Sequence, residues 1–286
     1  MKNLLLRNKL TPLFAVVCLG LAPAALALDP PPDGGYPGAN TAEGDDALFS
    51  LDTSLGHSNT AIGAQALFSN TVGGANTAIG AQALFTNTVV GGNTAVGFQA
   101  LYFTTADIGN TAIGFQALFN NGHTINSGAW NNTASGYRAL YRNDTGNSNT
   151  ATGEAALYSN TTGSGNTANG RAALSNNTTG FSNTAVGAGA LVRNSAGNIN
   201  TATGSGALFN NRAGNENTAT GDSALLNNTI GSSNIALGFQ AGLNLRDGSN
   251  NIYIANAGGP SSESATIRIA GRPTFRPRPL SRESMV

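Results

Sequence analysis

"NTAIGAQALF" stands at Asn59–Phe68 and again, letter for letter, at Asn76–Phe85; "NTAVGFQALY" and "NTAIGFQALF" follow from Asn93 and Asn110. Self-similarity at a fixed spacing decides architecture before any single residue does. With the opening Asn as column zero, copies begin at Asn40, Asn59, Asn76, Asn93, Asn110, Asn132, Asn149, Asn166, Asn183, Asn200, Asn217 and Asn234, and a degenerate copy begins at Asn251. The steps between them are 17 residues, except the first (19) and the one leaving Asn110 (22).

Stacked at that period, the copies read N-T-A-x-G-x-x-A-L-Φ-x-N-x-x-G. Column eight is Leu in every copy from Leu48 to Leu225: Leu48, Leu67, Leu84, Leu101, Leu118, Leu140, Leu157, Leu174, Leu191, Leu208 and Leu225. An unbroken Leu column is what a continuous core demands when each coil stacks on the next, so these leucines are the expected structural core. Ala at columns two and seven and Gly at column four suit close approach of backbone layers or a turn. Asn at column zero can form a ladder, because identical amides in stacked parallel strands recur about every 4.8 Å. Asn at column eleven and Gly at column fourteen read as turn residues tolerant of positive φ.

The fold expected is an all-β parallel β-solenoid of about 12–13 coils, its rod on the order of 60 Å long. Each coil carries one short strand at "TAxG". The segment "xxALΦ" is either a second short strand or a helical turn, since it is too short to show a period.

Bulk properties bound the rest. Residues 1–27 read as a secretory signal peptide: Lys2, Arg7 and Lys9 precede an apolar run that ends in "ALA" at Ala25–Ala27. The alternative, a membrane anchor, is disfavoured by the short run and by Pro23. Removing the signal removes Cys18 and leaves 11 Arg against 14 acidic residues, a net charge near −3. Disulfides, cysteine–metal sites and a nucleic-acid partner are thereby not expected, nor is a membrane span after signal removal. Residues 28–39 form a Pro/Gly linker, 40–258 the repeat solenoid, 259–271 a terminal strand or cap, and 272–286 an Arg/Pro tail expected to be disordered.

Column three divides the array: Ile62, Ile79, Val96 and Ile113 are apolar, whereas Ser135, Thr152, Asn169, Thr203 and Thr220 are polar, with Val186 and Leu237 as exceptions. On a strand it points opposite to the column-two alanines, so the apolar stretch faces outward and is the candidate partner or trimer face. The longer step after Asn110 inserts five residues, and insertions in solenoids map to loops where partners often bind; His123 and Trp130 mark that candidate binding loop.

"NTAIG", "NTAVG" and "NIALG" resemble the head repeats of trimeric autotransporter adhesins (YadA-like heads). Bacterial secreted proteins with "NTAxGxxAL" arrays are similar over Asn40–Gly271. The resemblance implies a left-handed parallel β-roll, a homotrimer, and adhesion to host matrix or to a surface polysaccharide or protein. The present repeat is a few residues longer, and no heptad stalk, anchor barrel or chaperone domain follows within these residues, so a bare head is the expectation.

Chemistry is sparse. The acidic pair at one outward column, Glu154 and Asp222, lies four coils apart, about 19 Å and too far for glycoside cleavage. Only two histidines occur, His57 and His123, and no "GK[ST]" accompanies the glycines. No enzyme, cofactor or metal is expected. Two rivals to adhesion remain: ice binding by "TAT" ladders at Thr150–Thr152, Thr201–Thr203 and Thr218–Thr220, and a tail-spike-like polysaccharide-binding role. The expected location is secreted or on the outer cell surface.

Overall fold

A computed structural model describes residues 35–105, 107–122 and 127–270. The expected signal peptide, most of the linker, His123 and the Arg/Pro tail lie outside those residues. The chain is a parallel β-solenoid. One 15-stranded sheet runs in chain order, and each copy places its "TAx" triplet directly over the next: Thr60 on Thr77, Ala61 on Ala78, Ile62 on Ile79. Gly at column four then ends the strand. In Gly63 φ is +125°, and a Cβ would lie 2.7 Å from the carbonyl carbon of Gly80, so only glycine lets consecutive coils meet there.

The segment left open between strand and helical turn is a chain of tight turns, and no α-helix occurs among the described residues. Gly63 C=O accepts from Ala66 N–H (3.1 Å) and Leu67 C=O from Asn70 N–H (3.1 Å). A second small parallel pairing, Asn120–Asn121 on Arg142–Asn143, appears one to two columns later, beside the insertion. The sheet is closed at its start by Gly35–Tyr36, which pairs antiparallel with Asn40–Thr41 and so brings the end of the expected linker into the fold. It finishes with Ile267–Ile269 on Ile252–Ile254, after a shorter step of 15 residues. Thirteen steps of roughly 4.8 Å make a rod of about 60 Å.

The interior repeats faithfully. Leu67 through Leu225 at column eight are fully buried, as are the alanines of columns two and seven from Ala61 to Ala224. The conformation that accomplishes this is unusual: the column-eight leucines are left-handed (φ 50–54° from Leu67 to Leu225), and so are non-glycine residues at column six such as Gln65, Gln82 and Gln99. A left-handed L-residue costs about 1–2 kcal/mol. Burying a Leu side chain returns roughly 1.5–3 kcal/mol, and the Leu67 N–H is bonded to Ala83 C=O in the next coil (3.0 Å), so the stack offsets the local strain.

Two turn assignments are corrected. Asn at column eleven is fully buried and lacks positive φ, and Gly at column fourteen also lacks it. They form an internal polar seam instead. In most regular coils one glycine carbonyl accepts two amides, as Gly163 C=O does from Asn149 Nδ2 (2.9 Å) and Asn160 Nδ2 (2.8 Å), and in the coil from Asn76 the Val90 carbonyl takes that part. Asn160 Nδ2 also donates to Asn143 Oδ1 of the preceding coil (2.8 Å). A Cβ on Gly163 would meet the Gly180 carbonyl at 2.3 Å, so the glycine is there for space. At column zero each backbone N–H donates to the previous coil's Asn Oδ1, without a break from Asn40 to Thr266. A buried amide without partners would cost about 1–3 kcal/mol; the ladder satisfies the column-zero side-chain oxygens coil after coil, while Asn110 Nδ2 is left without a partner.

The final coils are repacked. Tyr253 replaces Ala at column two and is fully buried, and the Leu column gives way to Gly242, where a Cβ would sit 2.8 Å from the Tyr253 ring. The Tyr253 hydroxyl donates to Glu263 Oε1 (2.8 Å), and Glu263 also accepts from Gly259 N–H (2.7 Å) and from Arg268 Nε and Nη2. That pair is the one ion pair among the described residues.

Candidate functional site: the outer columns of the solenoid

With the interior nearly invariant, whatever distinguishes one stretch of rod from another lies on outward columns. Three kinds of surface result.

The first is the strand face. Ile62, Ile79 and Ile113 are 38–46% exposed and Val96 is half-buried, all in register on adjacent coils. Column five, just past the glycine, adds Phe98, Phe115 and Tyr137, stacked at 5.3–5.4 Å between ring centroids. Column three had pointed to this face; the aromatic contribution from column five was missed, although the letters "GF", "GF" and "GY" carry it. From Ser135 onward the face is polar apart from Val186, and it becomes apolar again at Leu237 and Phe239.

The second surface is a file of seven rings at column nine: Phe49, Phe68, Phe85, Tyr102, Phe119, Tyr141 and Tyr158, with centroids 5.0–5.3 Å apart and planes within 16°. Beside it Gln65, Gln82, Gln99 and Gln116 hydrogen-bond in series at 2.8–3.0 Å, ending on Arg138. Because each inner ring is sandwiched between its neighbours, the file offers edges to solvent, and sugar stacking on ring faces is blocked except at its ends.

The third is a shallow polar groove of about 410 Å³ lined by Arg193, Asn210, Arg212, Asn227, Thr229, Asn244, Arg246 and Ser261. No acidic side chain lines it.

The insertion is tied down from inside. Asp107, almost wholly buried, takes the place of Gly at column fourteen and accepts from Ser127 Oγ (2.6 Å) and Ala129 N–H (2.9 Å). Burial pushes its carboxyl above the ordinary value, and those hydrogen bonds oppose the shift. Here the polar seam is interrupted: Thr104 stands where Asn is the rule, and neither its Oγ1 nor Asn87 Oδ1 has a hydrogen-bond partner. Trp130 is half exposed beside this loop. His123, the other residue of the expected binding loop, lies outside the described residues. Glu154 and Asp222 sit four coils apart, and no cluster of three or more metal-ligating side chains occurs among the described residues.

No protein-family model and no curated protein matches the chain.

Proposed function

We propose that this chain is a non-enzymatic, adhesin-like structural rod, secreted or carried on the outer cell surface, that assembles as a homotrimer and binds by many weak contacts along its length. The observation that carries the reading is the run of Ile62, Ile79, Val96 and Ile113 in register on adjacent coils, with Phe98, Phe115 and Tyr137 at column five, whereas column three is polar from Ser135 to Thr220 apart from Val186. Contiguous exposed apolar surface of this kind marks an association site, and a threefold arrangement is what the resemblance to adhesin heads implies. Among the described residues no helix is long and apolar enough to cross a membrane.

Sedimentation velocity on the chain expressed from residue 28 is the test, with a trimer expected and Ile79→Ser/Ile113→Ser expected to sediment as a monomer that keeps its β spectrum. A wild-type monomer that adheres to no matrix or surface polymer overturns the proposal. Ice binding is the weaker reading. Thr occupies columns one and three together on adjacent coils only at Thr201/Thr203 and Thr218/Thr220, with Val186 and Leu237 on either side.

A further inference from the structure

The groove at columns ten and twelve has an order that the adhesive reading does not use. Column twelve runs Ser195, Arg212, Thr229, Arg246, then Ser261, each joined to the next by a backbone N–H to carbonyl bond of 2.7–3.1 Å. Cation and hydroxyl therefore alternate along column twelve, and the backbones of Arg212 and Arg246 stand two coils, or roughly 10 Å, apart. Column ten lays amides alongside: Asn210, Asn227 and Asn244, headed by Arg193, whose Nη1 donates to Asn210 Oδ1 (3.0 Å) while its guanidinium lies over the Phe209 ring (5.5 Å). Arg212 and Arg246 are exposed, and neither they nor Arg193 form an ion pair among the described residues. Asp247, the nearest acid in sequence, is not among the lining residues but borders the groove, its Oδ1 accepting from Thr229 Oγ1 (2.7 Å).

We infer that this groove binds a linear anionic polysaccharide, lying along the rod axis, in which a carboxylated sugar alternates with a neutral one. Two sugars of an extended glycan span about two coils, so each carboxylate meets an arginine fork, while the intervening sugar's hydroxyl and amide groups meet Thr229 and the column-ten amides. Arginine suits this task because its planar donors match a carboxylate in bidentate fashion. Nucleic acid fits less well, since its phosphates recur at roughly 3.4 Å along a strand, whereas column twelve supplies a cation only at every second coil and Arg193 of column ten adds one at the groove's end. The inference names a ligand class for the adhesive rod and rests on that reading for the ligand being a surface polymer.

The experiment measures binding of the full chain to immobilised hyaluronate, in which a uronate alternates with a neutral amino sugar, beside polygalacturonate, dextran and single-stranded DNA. Hyaluronate is expected to bind best, with affinity falling as salt is raised. Arg212→Ala/Arg246→Ala is expected to weaken it by about tenfold or more, through loss of two charge-assisted contacts, without altering sedimentation or melting. Arg142→Ala/Arg171→Ala removes the same charge elsewhere and is expected to leave binding intact. Equal binding to DNA or polygalacturonate, or equal loss in the two double variants, overturns the inference as non-specific polyanion attraction. Absence of hyaluronate binding by a trimer that still adheres to surfaces overturns it while leaving the adhesive reading standing.

Discussion

The coils that begin at Asn59 and Asn76 and those that begin at Asn200 and Asn217 have almost the same interior but differ outside, at columns three, ten and twelve. Inside, both pairs present Leu, two alanines and two buried asparagines per coil. Outside, the first pair carries Ile62, Ile79 and the stacked Phe68 and Phe85, whereas the second carries Thr203, Thr220, Asn210, Asn227 and Arg212. The difference separates two tasks. Inward columns specify the rod, and a one-coil error there propagates to both neighbours; outward columns are free to vary, so binding character is written on them.

The sharpest way to break this comparison is to cut the interior in both halves. Leu84→Ala and Leu208→Ala should each destabilise by about 2–5 kcal/mol, because each leaves a cavity between coils that cannot collapse. Thermal melts followed by circular dichroism should show similar losses; a loss confined to one half would show that the interior is not uniform.

A smaller effect tests the outer difference. Phe85 stacks on two neighbours, so Phe85→Ala should cost about 1–3 kcal/mol, taking each aromatic pair as worth roughly 0.5–1.5 kcal/mol. The ring file stops at Tyr158 because Ser175 follows it at column nine. Ser175→Phe should therefore extend the file by one ring and stabilise by about 0.5–1.5 kcal/mol, read as a higher melting temperature.

The gentlest perturbation is pH, acting at one end. Hydrogen bonds from Arg268, followed by those from Gly259 and Tyr253, hold the Glu263 carboxyl down at about 2 from an ordinary 4.5. A depressed carboxylate stabilises the fold above its unfolded value, and that contribution is lost as pH falls from about 4.5 toward 2. Amide exchange should thus quicken over Ile252–Ala270 in that window while Thr60–Ile79 stays protected. In Glu263→Gln the terminal coil should lose this pH dependence; unchanged behaviour would mean the cap does not rest on this carboxylate.

Period, coil number, the buried Leu and Ala, the glycine at column four and the outward apolar run were all legible in the letters, because each follows from repetition and from a residue type with one dominant preference. The asparagines of column eleven were not. Asn is as good a turn residue as it is a ladder, and only the stack shows its amide pointing inward to a glycine carbonyl. Likewise nothing in an isolated "ALF" announces a left-handed leucine, which is unfavourable locally and is held by burial and by hydrogen bonds to the next coil. The arginine groove stayed hidden for a related reason: columns ten and twelve are separate positions in the repeat, and only the path of the chain between Asn210 and Arg212 makes them two walls of one surface. What the sequence determined by itself was the repeat and the residues able to fill its interior. The tertiary structure decided which way each ambiguous residue faces, because in a solenoid that choice is made by contacts 17 residues away, between one coil and the next.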